Sequence, residues 1–127
     1  MPGLAQKASL QQRPQHPRIL FVDFHALGQQ IGGRLIVGSI GDLENLRALK
    51  LNNNLLTALP VELFQLQNLK HLDLGHNRFT QLPSDIGKLK NLQVLLIGYN
   101  RVSGILAKEI GDLLDLRELD ISGNVNI

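Results

Sequence analysis

A motif that returns every 23 or 24 residues constrains this chain more than any other feature. The segments LENLRALKLNNNLLTALPVELFQ, LQNLKHLDLGHNRFTQLPSDIGK and LKNLQVLLIGYNRVSGILAKEIGD align end to end from Leu43, Leu66 and Leu89. A partial fourth unit, LLDLRELDISGNVNI, begins at Leu113. Each unit reads L-x-x-L-x-x-L-x-L/I-x-x-N, and the asparagines fall at Asn54, Asn77, Asn100 and Asn124. Four units in one register do not arise by chance, and a period of this length marks a repeat architecture. One such unit cannot bury its apolar face alone, so stacked neighbours must share a continuous core. Leucine supplies 27 of the 127 residues, and 22 of those lie from Leu43 onward, where that core is needed.

Within a unit, the pairs Leu49/Leu51, Leu72/Leu74, Leu95/Ile97 and Leu119/Ile121 alternate with the period of a strand. Strands of roughly three to five residues are too short to stand alone, so they are expected to stack as a parallel ladder about 4.8 Å apart. Each asparagine sits where the chain leaves the strand, and its amide can satisfy backbone groups that the turn buries. Leu56, Phe79 and Val102 supply the next apolar position, followed by Leu59, Leu82 and Leu106. Pro60 and Pro83 fix the backbone and remove a donor. Val61–Gln65, Ser84–Lys88 and Ala107–Asp112 then read as short helical turns anchored by Leu63, Ile86 and Ile110. Narrow strands on one side and wider turns on the other curve the stack, so the strand face becomes concave.

These units resemble the leucine-rich repeat family, and the resemblance covers about two-thirds of the chain. It implies an α/β solenoid with short parallel strands on the concave face and short helical or 3-10 turns on the convex face. The loop halves TALPVELF and TQLPSDIG resemble the 23-residue class of cytoplasmic Ras-group proteins. The unit NRVSGILAKEIGDL is one residue longer and resembles a plant-type repeat, with Leu106 where proline is usual. The Ras-group resemblance implies a small GTPase as one candidate partner, by analogy alone.

The rest of the chain is less regular. Residues 1–18 are Gln/Pro-rich, lack the apolar region of a secretory signal, and read as a disordered tail. Residues 19–42 read as a degenerate repeat or cap, ahead of about 3.5 repeats over 43–127. One register places Phe21, Phe24 and Ala26 on the leucine positions and Gln29 on the asparagine. A competing one turns Val22 and Phe24 inward. The last unit stops after a strand and a turn with no capping helix. Either repeats continue in a longer protein, or a partner or second copy covers that edge.

Composition then removes function classes. There is no cysteine, hence no disulfide, thiolate metal site or cysteine nucleophile. With no signal and no N-x-S/T sequon, this favours the cytoplasm. No window holds 18 uncharged apolar residues, so no membrane span is expected. The net charge of +2 comes from the first forty residues at +3, while residues 41–127 carry −1. A near-neutral repeat region with 4% aromatics has neither the clustered cations nor the stacking platforms of a nucleic-acid surface. Gly28, Gly32 and Gly33 lack the ending and spacing of a phosphate loop and read as a turn. His71, Asp73 and His76 invite a metal reading, but His71 and Asp73 are expected about 7 Å apart on one strand face, too far for one ion. The serines occupy no nucleophile elbow and the carboxylates form no acid/base pair. No catalytic residue, metal or cofactor is expected.

What remains is a binding face. The outward strand positions form columns: Ala48, His71, Val94, Glu118; then Lys50, Asp73, Leu96, Asp120; then Asn52, Gly75, Gly98, Ser122; then Asn53, His76, Tyr99, Gly123. Val94, Leu96 and Tyr99 place an apolar cluster on a polar face, rimmed by Lys50, His71, Asp73, His76, Glu118 and Asp120. An apolar centre within a charged rim is the layout of an interface. The expected function is a non-enzymatic module binding a protein or peptide there. The alternatives are a recognition arm of a larger signalling kinase or ubiquitin ligase, or self-association through uncapped ends. As outward residues, Asp73 and Asp120 are expected to tolerate substitution without loss of stability.

Overall fold

The stacking demanded by the repeat is realised as a parallel ladder. The computed structural model describes residues 19–21, 43–103 and 108–125. Strands β1 (Ile19–Phe21), β2 (Ala48–Lys50), β3 (His71–Asp73), β4 (Val94–Leu96) and β5 (Glu118–Asp120) form one sheet in chain order. All neighbours are parallel, with Leu49, Leu72, Leu95 and Leu119 in one register. Each strand has three residues, and backbone pairing runs past it toward the turn. The Leu51, Leu74 and Ile97 N–H groups donate to Asp73, Leu96 and Asp120 carbonyls, and those of Asn53, His76 and Tyr99 to Gly75, Gly98 and Ser122.

The leucine columns fill the core. Leu49, Leu51, Leu72, Leu74, Leu95 and Ile97 are fully buried, as are Leu46, Leu69 and Leu92 from the start of each unit. Leu56, Phe79 and Val102 close the core beyond the turn. On the far side the chain returns through 3-10 turns at Val61–Gln65, Ser84–Lys88 and Lys108–Asp112. Pro60 and Pro83 are extended, and their carbonyls accept the first turn bonds, from Leu63 and Ile86. Leu63 and Ile86 are buried as anchors, while Ile110 packs on the core only in part. The expected solenoid, with strands on the concave side and 3-10 turns on the convex side, is therefore the observed one.

The asparagine column links each unit to the one before it. The Asn77 carbonyl oxygen accepts the Leu56 N–H at 3.0 Å, and its NH2 donates to Leu51 and Leu74 carbonyls at 2.9 and 3.0 Å. Asn100 repeats this with the Phe79 N–H and the Leu74 and Ile97 carbonyls. Asn124 repeats it with the Val102 N–H and the Ile97 and Ile121 carbonyls. Each side chain thus satisfies buried groups on two successive units, which backbone pairing at that corner cannot reach. A second asparagine column escaped the sequence reading. Asn68 donates to the Glu44 carbonyl at 2.7 Å and Asn91 to the Gln67 carbonyl at 2.6 Å, stapling the exposed entry to each strand.

One register expectation needs correction. β1 pairs Ile19 with Ala48, Leu20 with Leu49 and Phe21 with Lys50. Phe21 is therefore in register with Lys50 rather than with a leucine position, and Leu49 is paired with Leu20, four residues before Phe24. The expectations for residues 1–18 and 22–42, including the glycine cluster, and for Leu106 and Ala107 lie outside the described residues.

Core and ladder should respond differently from the surface. Leu72→Ala should cost about 2–5 kcal/mol by removing a side chain packed between two units. Asn77→Ala should cost about 1–3 kcal/mol by orphaning buried backbone groups. Arg78→Ala, next along and exposed, should stay within about 0.5 kcal/mol. Urea unfolding of the three variants measures this.

Candidate functional site on the concave strand face

Strand alternation puts the residues between the core leucines on the concave face. The pairing confirms the first two columns: Ala48, His71, Val94 and Glu118 are mutual neighbours, as are Lys50, Asp73, Leu96 and Asp120. The structure therefore brings Lys50, His71, Asp73, Val94, Leu96, Glu118 and Asp120 onto one surface. Extended pairing beyond the strands adds His76 and Tyr99. Val94 and Leu96 are half-buried, and Tyr99 is 56% exposed.

The fourth column has a backbone feature that residue types only partly announce. Asn53, His76, Tyr99 and Gly123, each just before a ladder asparagine, take positive φ of 61°, 55°, 59° and 70°. Asparagine and glycine suit this left-handed region; an aromatic residue there is uncommon. The turn is held by the asparagine that follows, so His76 and Tyr99 adopt the conformation the ladder dictates. Their rings stack at 4.7 Å with an interplanar angle of 8°, close to the spacing of the strands that carry them. On its other side the Tyr99 ring packs over Gly123, where an added Cβ would overlap it.

The third column forms a low floor. Gly75 and Gly98 lie beneath the Asp73 and Asp120 carboxylates, with Oδ1 only 3.2 and 3.3 Å from where a Cβ would stand. Asp73 Oδ1 accepts the Gly75 N–H at 2.9 Å. Asp120 Oδ1 accepts the Ser122 N–H at 2.9 Å and its hydroxyl at 2.6 Å, and these bonds hold the Asp120 pKa below the ordinary carboxylate value. Each aspartate thus closes a local turn by accepting from the backbone two residues on, a role the sequence reading did not include. Neither carboxylate makes an ion pair with a described residue.

In the first two columns, Lys50 Nζ donates to His71 Nε2 at 3.2 Å, which requires a neutral imidazole. Partial burial of His71 lowers its pKa from the ordinary value, and the Lys50 charge lowers it further, against the opposing pull of Asp73 and Glu118. Among the described residues no three His, Asp or Glu side chains are grouped to hold a metal ion. No described helix is long and apolar enough to cross a membrane.

A ladder of short parallel strands backed by 3-10 turns defines a repeat solenoid. The model of the leucine-rich repeat region matches residues 15–126, and the chain belongs to that family. Among solved structures, a leucine-rich repeat protein of Leptospira interrogans is 33% identical, with a TM-score of 0.67 over 99% of this chain and 36% of its own. A plant peptide hormone receptor, RGFR1, solved in complex with RGF2, is 34% identical, with a TM-score of 0.62 over 71% of this chain and 15% of its own. An internalin of Listeria monocytogenes shares the fold at 24% identity and a TM-score of 0.63, over 72% of this chain and 26% of its own. The chain thus spans little more than a third of the length of these structures, or less. Among curated protein sequences nothing matches it at a significant level.

The Lys50–His71 contact has a titration signature. Lys50→Met should raise the His71 pKa and Glu118→Gln should lower it further, read by NMR of the imidazole. Folding depresses this pKa, so the folded chain favours the neutral ring. That stabilisation is complete above the unfolded value of about 6.5 and is lost as pH falls through the folded value. Acidification over that window should therefore lower the melting temperature less in Lys50→Met than in the parent.

Proposed function

We propose that this chain is a non-enzymatic interaction module that takes a protein or peptide partner on its concave strand face. The observation that carries this reading is the apolar and aromatic group at the centre of that face. Leu96 lies between Asp73 and Asp120, Val94 lies between His71 and Glu118, and the His76–Tyr99 stack stands at one end. Apolar anchors within a polar rim, on a rigid backbone, are what an interface requires. The family relationship supports a binding role, and one of its structural relatives is a peptide hormone receptor. The finer resemblance to Ras-group repeats keeps a small GTPase among the candidate partners and the cytoplasm as the assigned compartment.

A second reading rests on the β5 edge. Leu119 is 37% exposed where its column mates Leu49, Leu72 and Leu95 are fully buried, and Val125 is 50% exposed. Such an edge suits stacking with a further repeat-like surface. Self-association through such a surface is one alternative, and a recognition arm of a larger signalling protein, which the family relationship permits, is another. Light scattering over a concentration series tests self-association, in which mass grows with concentration, and a longer reading frame with a kinase or ligase signature tests the recognition arm.

For a partner obtained by affinity capture, Tyr99→Ala and Leu96→Asp should each cost about 2 kcal/mol or more of binding by calorimetry. Charge reversal at Lys88, which pairs with Asp85 at 3.1 Å on a convex turn, or at exposed Lys90 should change binding little. Loss of binding in the lysine variants with Tyr99→Ala intact would move the site to the convex side.

A further inference from the structure

The concave face also specifies the charge of what it binds. We propose that its partner is a basic peptide segment, with an apolar side chain on Leu96 and flanking Arg or Lys groups on Asp73 and Asp120. This rests on the concave-face reading above and adds the chemistry of the occupant.

Charge complementarity carries the argument. Columns one and two hold three carboxylates, Asp73, Glu118 and Asp120, against one ammonium, Lys50. Lys50 is turned onto the neutral His71 ring. Asp73, Glu118 and Asp120 make no ion pair among the described residues, so these two columns carry three negative charges against the one positive charge of Lys50, which stands in register beside Asp73. Asp73 and Asp120 sit one strand to either side of Leu96, which separates them by about 10 Å, twice the strand spacing. Their first oxygens are fixed on the backbone of Gly75 and Ser122, which orients the carboxylates before any partner arrives.

The shape of the face agrees with the charge. Gly75 and Gly98, lacking a Cβ, let the Asp73 and Asp120 carboxylates lie close over the backbone. Further along the same units, the stacked His76 and Tyr99 rings offer a cation an aromatic surface. A guanidinium suits this setting because its planar fork pairs with a carboxylate and also lies against a ring. The cationic residues Arg47, Lys70 and Arg117 stand three positions before Lys50, Asp73 and Asp120. That is about 10 Å along a strand, near a Debye length at 0.1 M salt, so their repulsion is weakened at Asp73 and Asp120, while Arg117 adjoins Glu118.

The test is selection of a random peptide library displayed on phage against the full chain. The peptides selected are then synthesised and titrated against variants. Asp73→Asn with Asp120→Asn is the informative pair, because the amide keeps an oxygen for the Gly75 and Ser122 N–H groups while removing the charge. The proposal predicts enrichment of Arg and Lys around an apolar residue. It also predicts affinity that weakens as salt rises, and a loss of at least about tenfold in the double variant. Selected peptides that are neutral or acidic, or that bind the double variant unchanged while Leu96→Asp abolishes binding, overturn the basic partner but leave the concave site standing. Peptides indifferent to Leu96→Asp and Tyr99→Ala overturn both. The absence of any enriched peptide overturns the proposal as well.

Discussion

Each unit of this solenoid depends on one amide placed where the strand ends. The corner after a three-residue strand leaves backbone groups that neither the sheet nor water can satisfy. Asn77, Asn100 and Asn124 each bond both to their own unit and to the unit before it. Unpaired, those buried groups would each cost about 1–3 kcal/mol, comparable to what a core leucine contributes. The leucine columns supply the burial, but the asparagines set how one unit sits on the next.

That corner also shapes the concave face proposed to bind. Holding the asparagine in place forces the residue before it into the left-handed region, at Asn53, His76, Tyr99 and Gly123. In the middle two units this projects aromatic rings at the spacing of the ladder, and they stack. The Asp73 and Asp120 carboxylates are tied to the same corners through Gly75 and Ser122. Structural groups and the proposed recognition groups therefore share a backbone, and the face is preorganised by the interactions that stack the repeats. Preorganisation lowers the ordering cost of binding, which helps a short strand face to hold a partner.

Much of this was legible in the sequence because the period does the work of a tertiary restraint. Leu72 and Leu95 could be placed inward, and Asp73 and Leu96 outward, since a strand alternates and the repeats share one register. The columns then follow without further information. Where alternation fails, legibility fails. Leu20, Phe21, Val22 and Phe24 give apolar residues of both parities, so the pattern does not choose between registers, and the strand pairs four residues away from the favoured one. The bonds of Asp73 and Asp120 to their own turns were missed because an outward carboxylate reads the same whether or not it folds back. Asn68 and Asn91 recur at the repeat spacing, which was the available signal for the second asparagine column. The positive φ of Tyr99 has no signature in its residue type; only its position before Asn100 announces it.

The central claim is that the concave columns, and not the convex turns, are the surface that meets a partner. Backbone amide shift mapping by NMR, with a bound partner peptide titrated into the labelled chain, tests this most directly. The account predicts the largest perturbations at Asp73, Gly75, Leu96, Gly98, Tyr99 and Asp120, with Ser84–Lys88 unmoved. Perturbations centred on Val61–Gln65 and Ser84–Lys88, with the strand columns silent, would contradict it.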